Sequence, residues 1–191
     1  MVHVSDPIIR NIKIAIRFCK KKHHGTELKS RISETSIKHY HNFSILRSTY
    51  VYSIFWNCGY VNITKIPSMC EISRATENIL SLLRVPTSDL LKTDIHNICA
   101  SGKFSEKLNL SVIKDKLSKE GSLQVNRNLS AFPALFVKCS SLGTCVLFQN
   151  GKYSLVGVNS TSKLSLLLKI ITDKIQEHDL SSYTNNRIAR V

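Results

Sequence analysis

Two stretches of this chain carry one pattern. Tyr40-His41-Asn42-Phe43-Ser44-Ile45-Leu46 runs into Tyr52-Ser53-Ile54-Phe55-Trp56-Asn57-Cys58-Gly59. Roughly ninety residues on, Phe132-Pro133-Ala134-Leu135-Phe136-Val137-Lys138 runs into Thr144-Cys145-Val146-Leu147-Phe148-Gln149-Asn150-Gly151. Aligned without a gap, Tyr40 falls on Phe132, Trp56 on Phe148 and Gly59 on Gly151. A chain that repeats a unit of this size folds as two equivalent halves, and whatever one half does the other is built to do as well. The expected organisation is a first repeat over 1–88, a second over 89–178, and a polar, basic tail over 179–191.

The local signals follow the same order in each half. Asn11 to Phe18 alternates, with Ile12, Ile14, Ile16 and Phe18 on one face and Asn11, Lys13, Ala15 and Arg17 on the other, as in a half-buried strand. A short helix is expected from Thr26 to about Ile32, and then strands near Phe43–Arg47, Tyr50–Trp56 and Tyr60–Lys65, with a turn at Asn57-Cys58-Gly59. Ser68, with Glu71 at capping-box spacing, opens a helix whose apolar stripe is Ile72, Ala75, Ile79, Leu82 and Leu83, and Pro86 ends it. The second half replays this with a strand over Asp94–Lys103 and a helix over Leu108–Lys119. Strands over Phe132–Cys139, Thr144–Phe148 and Tyr153–Val158 follow, then a helix from Ser162 to about Gln176. The Asn150-Gly151 pair is a hairpin signal. The sum is an α+β chain of about ten mostly antiparallel strands and four helices. Helices cover one sheet face; the other stays open, as antiparallel sheets allow.

Charge says what the open face meets. The chain holds 27 Lys and Arg against 13 Asp and Glu, a formal charge of +14, and the residues are 42% apolar as in a globular domain. That excess points to a polyanionic partner. The six cysteines, Cys19, Cys58, Cys70, Cys99, Cys139 and Cys145, include no C-x-x-C pair, and neither His23-His24 nor His39-Tyr40-His41 sits at ligand spacing from one. A metal is therefore not expected, nor is any other cofactor, and buried thiols in a reducing compartment are. No apolar run reaches the length of a membrane span, and the N-terminus lacks the order of a signal peptide, so an intracellular protein is expected. No paired carboxylates, Ser/His/Asp set or phosphate-cradling glycine loop argues for an enzyme.

Three pairs of motifs now carry a resemblance. Arg10-Asn11-Ile12 and His96-Asn97-Ile98 open the two repeats; Phe132-Pro133-Ala134-Leu135 stands in register with Tyr40-His41-Asn42-Phe43. Leu147-Phe148-Gln149-Asn150-Gly151-Lys152 stands with Phe55-Trp56-Asn57-Cys58-Gly59-Tyr60. In these the chain resembles the TATA-box-binding protein family, from about Pro7 to Ile175 and most strongly over Phe132–Gly157. The resemblance implies a two-repeat saddle with a curved antiparallel sheet, helices on the convex side and duplex DNA held through its minor groove. Minor-groove kinking by that protein is a known example of its kind, so the mode comes with the resemblance.

Carried over residue by residue, the resemblance makes Phe132 and Phe148 one pair of wedges between base steps, and Tyr40 and Trp56 the other. For each aromatic alone, the competing reading is a core position. Asn11 and Asn97 match paired asparagines that bond acceptors on the groove floor. Lys13 and Cys99 replace apolar residues beside them, and Lys13 adds a sequence-blind phosphate attraction. Ile54, Thr64, Val146 and Val156 match groove-floor contacts. Lys138 matches a phosphate-contacting arginine; its ungapped equivalent is Leu46, so Arg47 is taken for the first repeat.

The expected function is transcription initiation by binding and bending A·T-rich promoter DNA. The expected partners are a transcription factor IIB-like protein and RNA polymerase. The acidic residues that receive transcription factor IIB in the family are missing from Asn126-Arg127-Asn128-Leu129-Ser130-Ala131. This divergence resembles the TATA-binding-like proteins of large DNA viruses. The nucleus, or for a viral protein cytoplasmic sites of transcription, is the expected location. Two rivals use the same fold: an interaction protein that engages transcription proteins without TATA-specific binding, and a substrate-binding appendage of a nuclease or glycosylase.

Overall fold

The computed structural model describes residues 3–18, 25–30, 32, 37–126 and 133–188, and the side chains of these except 25–27 and 177–188. The chain divides into two compact units, Ile9–Asn97 and Met1–Ile8 with Ile98–Val191, called here the first and second unit.

The first unit contains β1 (Ile8–Phe18), α1 (Gly25–Ser30), β2 (Ile37–His39), β3 (Ser44–Arg47), β4 (Val51–Phe55), a 3-10 turn over Trp56–Cys58, β5 (Tyr60–Ile66) and α2 (Glu71–Leu82). Its strands lie in the order β2-β3-β4-β5-β1, each antiparallel to its neighbour. The alternation read in β1 is what the packing uses: Ile12, Ile14, Ile16 and Phe18 are all buried. α2 packs on β5 and buries Ala75, Ile79 and Leu80 against the same sheet face, with Leu83 just beyond its end. Ile79, Leu80 and Leu83 each contribute about 1.5–3 kcal/mol by leaving water. The expected capping box does not form. Cys70 is the N-cap without a side-chain bond, and Glu71 instead accepts a hydrogen bond from the buried Tyr50 hydroxyl. That bond raises the Tyr50 pKa, with burial adding to it, so the phenol stays a donor.

The second unit contains the later part of β6 (Leu90–Lys103), α3 (Leu110–Leu117), β7 (Leu123–Asn126), β8 (Ala134–Cys139), β9 (Gly143–Phe148), β10 (Lys152–Val158) and α4 (Thr161–Ile188). The order is β6-β10-β9-β8-β7, again antiparallel throughout. α3 packs on β7 and β8, and α4 on β9 and β10. Ser160, not Ser162, starts α4: its hydroxyl accepts from the Lys163 N–H at 3.3 Å. The helix runs through Ile188, so the segment read as a tail after Gln176 is helical backbone up to that residue.

Residues 3–8 were outside the sequence reading of the second repeat, yet they dock on this unit. Val4 bridges Phe104, the Ser5 hydroxyl accepts from the Lys103 N–H at 2.9 Å, and the Tyr153 hydroxyl donates to the Ser5 carbonyl at 2.8 Å. Burial dominates over that hydrogen bond and pushes the Tyr153 pKa up to about 12. A Cβ at Gly102 would collide with the Tyr153 ring and with Ser5, which is why glycine stands there.

Candidate nucleic-acid interface

Strand pairing assigns every side chain to one of two faces, because residues directly opposite in an antiparallel ladder share a face. In the first unit the helix-covered face holds Ile14, Ile63, Tyr52, Ile54 and Leu46. The other, open face holds Asn11, Lys13, Arg17, Asn62, Thr64, Ser53, Phe55, Ile45 and Arg47. In the second unit Leu135, Val137, Cys145, Leu147, Tyr153 and Leu155 face the helices. The open face holds Phe136, Lys138, Thr144, Val146, Phe148, Ser154 and Val156, with Cys99 on β6; Asn97, the last residue of the first unit, is on the same side of that strand as Cys99. Cys145 on the helix side is fully buried, which pushes its thiol pKa up, and on the open side Val146 is buried too, while Thr144 and Phe148 are part-exposed.

The register also superposes one unit on the other. Tyr60 pairs with Phe55 and Val61 with Ile54; in the second unit Tyr153 pairs with Leu147. With Tyr60 equivalent to Lys152, Phe55 takes the place of Phe148 and Ile54 that of Leu147. The connection in the first unit, Trp56 to Gly59, is one residue longer than Gln149 to Gly151. An ungapped alignment anchored on the glycines therefore slips by one residue on β4, and a one-residue slip exchanges the faces.

Two expected site residues are corrected by this. Trp56, 6% exposed, is core: it begins the 3-10 turn and its indole N–H donates to the Ser44 hydroxyl at 2.9 Å. Ile54, 0% exposed, is core as well. Phe55 and Ser53 stand on the open face in their stead, opposite Tyr60 and Asn62. The same shift places Arg47, not Leu46, in the position of Lys138, since Arg47 pairs with Val51 as Lys138 pairs with Thr144. Leu46 is buried and Arg47 and Lys138 are both exposed. The signal that could have found this was size rather than period: Tyr52, Ile54 and Trp56 are all bulky and apolar, whereas Val51-Ser53-Phe55 includes a serine.

Asn11 on β1 and Asn97 on β6 stand at equivalent strand positions, each followed by a buried isoleucine, Ile12 or Ile98. Opposite the residue two places on, Lys13 or Cys99, the partner strand carries one extra residue: Lys65 in β5, with φ 64°, and Gly157 in β10, with φ 77°. The Asn11 Oδ1 accepts from the Lys65 N–H at 2.8 Å. That bond sets the flip of the amide and leaves its NH2 as the group for another acceptor. Lys13 and Cys99 follow the two asparagines, and Thr64 and Val156 stand across the ladder at equivalent positions; all four are part-exposed. Phe132 lies outside the described residues, as do Arg127 to Ala131, while Tyr40 is 47% exposed.

Tyr40 begins a row of rings. It stacks on Phe43 with centroids 4.7 Å apart and planes at 11°; Phe43 lies 5.6 Å from Phe55 at 27°, and Phe55 lies 5.7 Å from Tyr60. The Arg17 guanidinium sits 5.8 Å over Tyr60. Burial raises the Tyr60 pKa, with Arg17 opposing and Asp94 adding to the rise, so the hydroxyl is neutral at pH 7 and donates to the Asn62 Oδ1 at 2.9 Å.

Among the described residues that ladder pairing puts on the open faces there is no Asp or Glu, while Lys13, Arg17, Arg47 and Lys138 are there. Asp94 lies close enough to Tyr60 to raise its pKa, but arginine, lysine, amides and flat rings dominate the surface, and these suit a phosphate-bearing ligand with planar groups.

Comparisons with known proteins find a family match and a similar fold. Residues 92–178 match the family described as Transcription factor TFIID (or TATA-binding protein, TBP). The structure is similar to the solved structure of Methanococcus jannaschii TBP, with a TM-score of 0.71 and 20% sequence identity, over 91% of this chain and 99% of that one. The α+β fold expected from the resemblance is thus the fold observed. No curated protein sequence matches the chain.

Proposed function

This chain is a divergent member of the TATA-binding-protein family, and on that premise we propose that it is a transcription initiation factor that binds and bends duplex DNA through the minor groove. It acts as a binding factor rather than an enzyme. The observation that carries the reading is the pair of open sheet faces, rich in cations and flat rings, with Asn11 on β1 and Asn97 on β6 at equivalent positions, each two residues before the one that faces a bulge.

The physics of each part follows. An amide NH2 meets the minor-groove acceptors that an A·T pair shows in either orientation, so Asn11 and Asn97 favour A·T over G·C. Arg47 and Lys138, in equivalent places, meet phosphates. Phe148 in one unit and Phe55 in the other are wedges that offset the cost of unstacking a base step, about a few kcal/mol. Tyr40 flanks Phe55 through Phe43, and Phe132 completes the pair with Phe148. Lys13, in place of an apolar residue, shifts the balance from base readout to phosphate attraction, so the A·T preference is weaker than a purely apolar floor would give. The basal partner is a factor that does not need the acidic segment before Phe132.

The test is binding to A·T-rich and G·C-rich duplexes of equal length across a salt series. Four phosphate contacts, by Lys13, Arg17, Arg47 and Lys138, imply a roughly hundredfold loss of affinity between 50 and 200 mM salt. A salt-independent affinity, or none at low salt, would overturn the DNA reading and favour a protein-binding role for the same fold. Equal competition by the two duplexes would remove the readout assigned to Asn11 and Asn97.

A further inference from the structure

The two open faces are not equally furnished. The row Tyr40, Phe43, Phe55, Tyr60 crosses the first unit's sheet from before β3 to β5. A single base step opens to admit one flat side chain from the groove side. Three rings already stacked on one another at 4.7 and 5.6 Å form a column instead, and a column does not enter one step. It presents an end. The Phe43 side of the Tyr40 ring is occupied, and its opposite side meets no other ring among the described residues; Tyr40 is nevertheless 47% exposed.

We propose that this column is a stacking platform for unpaired bases, so that the first unit binds single-stranded DNA as well as duplex. The inference rests on the DNA reading above but not on the minor groove. A base stacks on Tyr40 as the next layer of the column, because every base has a π-face and base–aromatic stacking is tolerant of sequence. The charges that a strand's phosphates need lie on the same sheet face: Arg17 at Tyr60, and Arg47 farther along β3, about 13 Å from Phe43 at the rise of a strand, while Asp94 is the one acid close enough to act on Tyr60 among the described residues. Tyr60 is tilted at 56° to Phe55 and carries the guanidinium, so the far end of the column is closed and the strand's entry is at Tyr40.

The experiment separates stacking from charge. Fluorescence anisotropy is measured for the full chain with a labelled oligo-dT of about twelve nucleotides, within the span such platforms cover, and with an abasic oligomer of the same length and charge. The expected result is binding of oligo-dT roughly tenfold tighter than of the abasic strand, the low end of one stacked base. Tyr40→Ala removes that difference and Tyr40→Phe keeps it, since the ring and not the hydroxyl does the stacking. Equal affinity for the two oligomers in the wild type, or a difference unchanged in Tyr40→Ala, overturns the proposal. Thermal melts of both variants control for folding. Should the duplex experiments fail while the oligo-dT difference holds, the minor-groove reading falls and this one stands.

Discussion

Each unit inserts one extra residue into the strand opposite Lys13 or Cys99, and the two units fill that position differently. The second uses Gly157 at φ 77°, for which positive φ carries no side-chain clash; the first uses Lys65 at φ 64° and ties its N–H to Asn11. A few residues away they diverge again. The hairpin of the second unit closes over Gln149 to Gly151, whereas that of the first takes one residue more and turns its tryptophan into the core. The lesson is that the ladder register and the bulge are the common framework, and loops can change length without disturbing it, as long as the change is confined to the turn. What the loop does change is which aromatic a sequence alignment lays on Phe148.

The largest way to break this comparison is at the tryptophan. Trp56→Ala should cost about 3–5 kcal/mol by opening a cavity and leaving Ser44 short of a donor, lowering the melting temperature by roughly 10 °C. Phe148→Ala, on the open face, should melt within a few degrees of the wild type. Differential scanning calorimetry of both decides it; a stable Trp56→Ala together with an unfolded Phe148→Ala would invert the faces.

Next comes DNA. Phe148→Ala should reduce bending, read by end-to-end fluorescence transfer on a short labelled duplex, and weaken binding about tenfold, or 1.4 kcal/mol. Tyr40→Ala should do less to duplex bending, because Phe55 holds the position equivalent to Phe148. A greater effect at Tyr40 would move the first unit's wedge from Phe55 back to Tyr40.

The bulges offer a smaller contrast. A Cβ at Gly157 meets nothing closer than the Gly143 Cα at 3.8 Å, so Gly157→Ala tests the backbone conformation without a clash. It should lose about 1 kcal/mol, the left-handed penalty less what alanine removes from the unfolded chain. Lys65→Gly should run the other way and gain about 0.5 kcal/mol, because the N–H to Asn11 remains. Chemical denaturation with both variants checks the pair; equal signs would mean that the bulges are not equivalent.

Much of this was legible beforehand. The β1 alternation, the paired asparagines, the α2 stripe and the Asn150-Gly151 turn are local patterns, and local patterns follow directly from side-chain period and turn chemistry. The exchange of Phe55 for Trp56 was not. Both Tyr52-Ile54-Trp56 and Val51-Ser53-Phe55 alternate, and period two alone cannot say which set faces the helices. Nor could the sequence show that residues 3–8 close against Phe104 and Tyr153, a contact that spans most of the chain and leaves no periodic trace.

By itself the sequence determined the repeat, the element types, the net charge and the identity of the asparagines, since these depend on residue order over a few positions or on composition. The tertiary structure decided which aromatic is core and which is open, which cation matches Lys138, and that four rings meet in one row. Those depend on strand register. Register is set by the summed burial of whole sheet faces against α1 to α4, a non-local quantity that a single misplaced turn residue is enough to hide from an alignment.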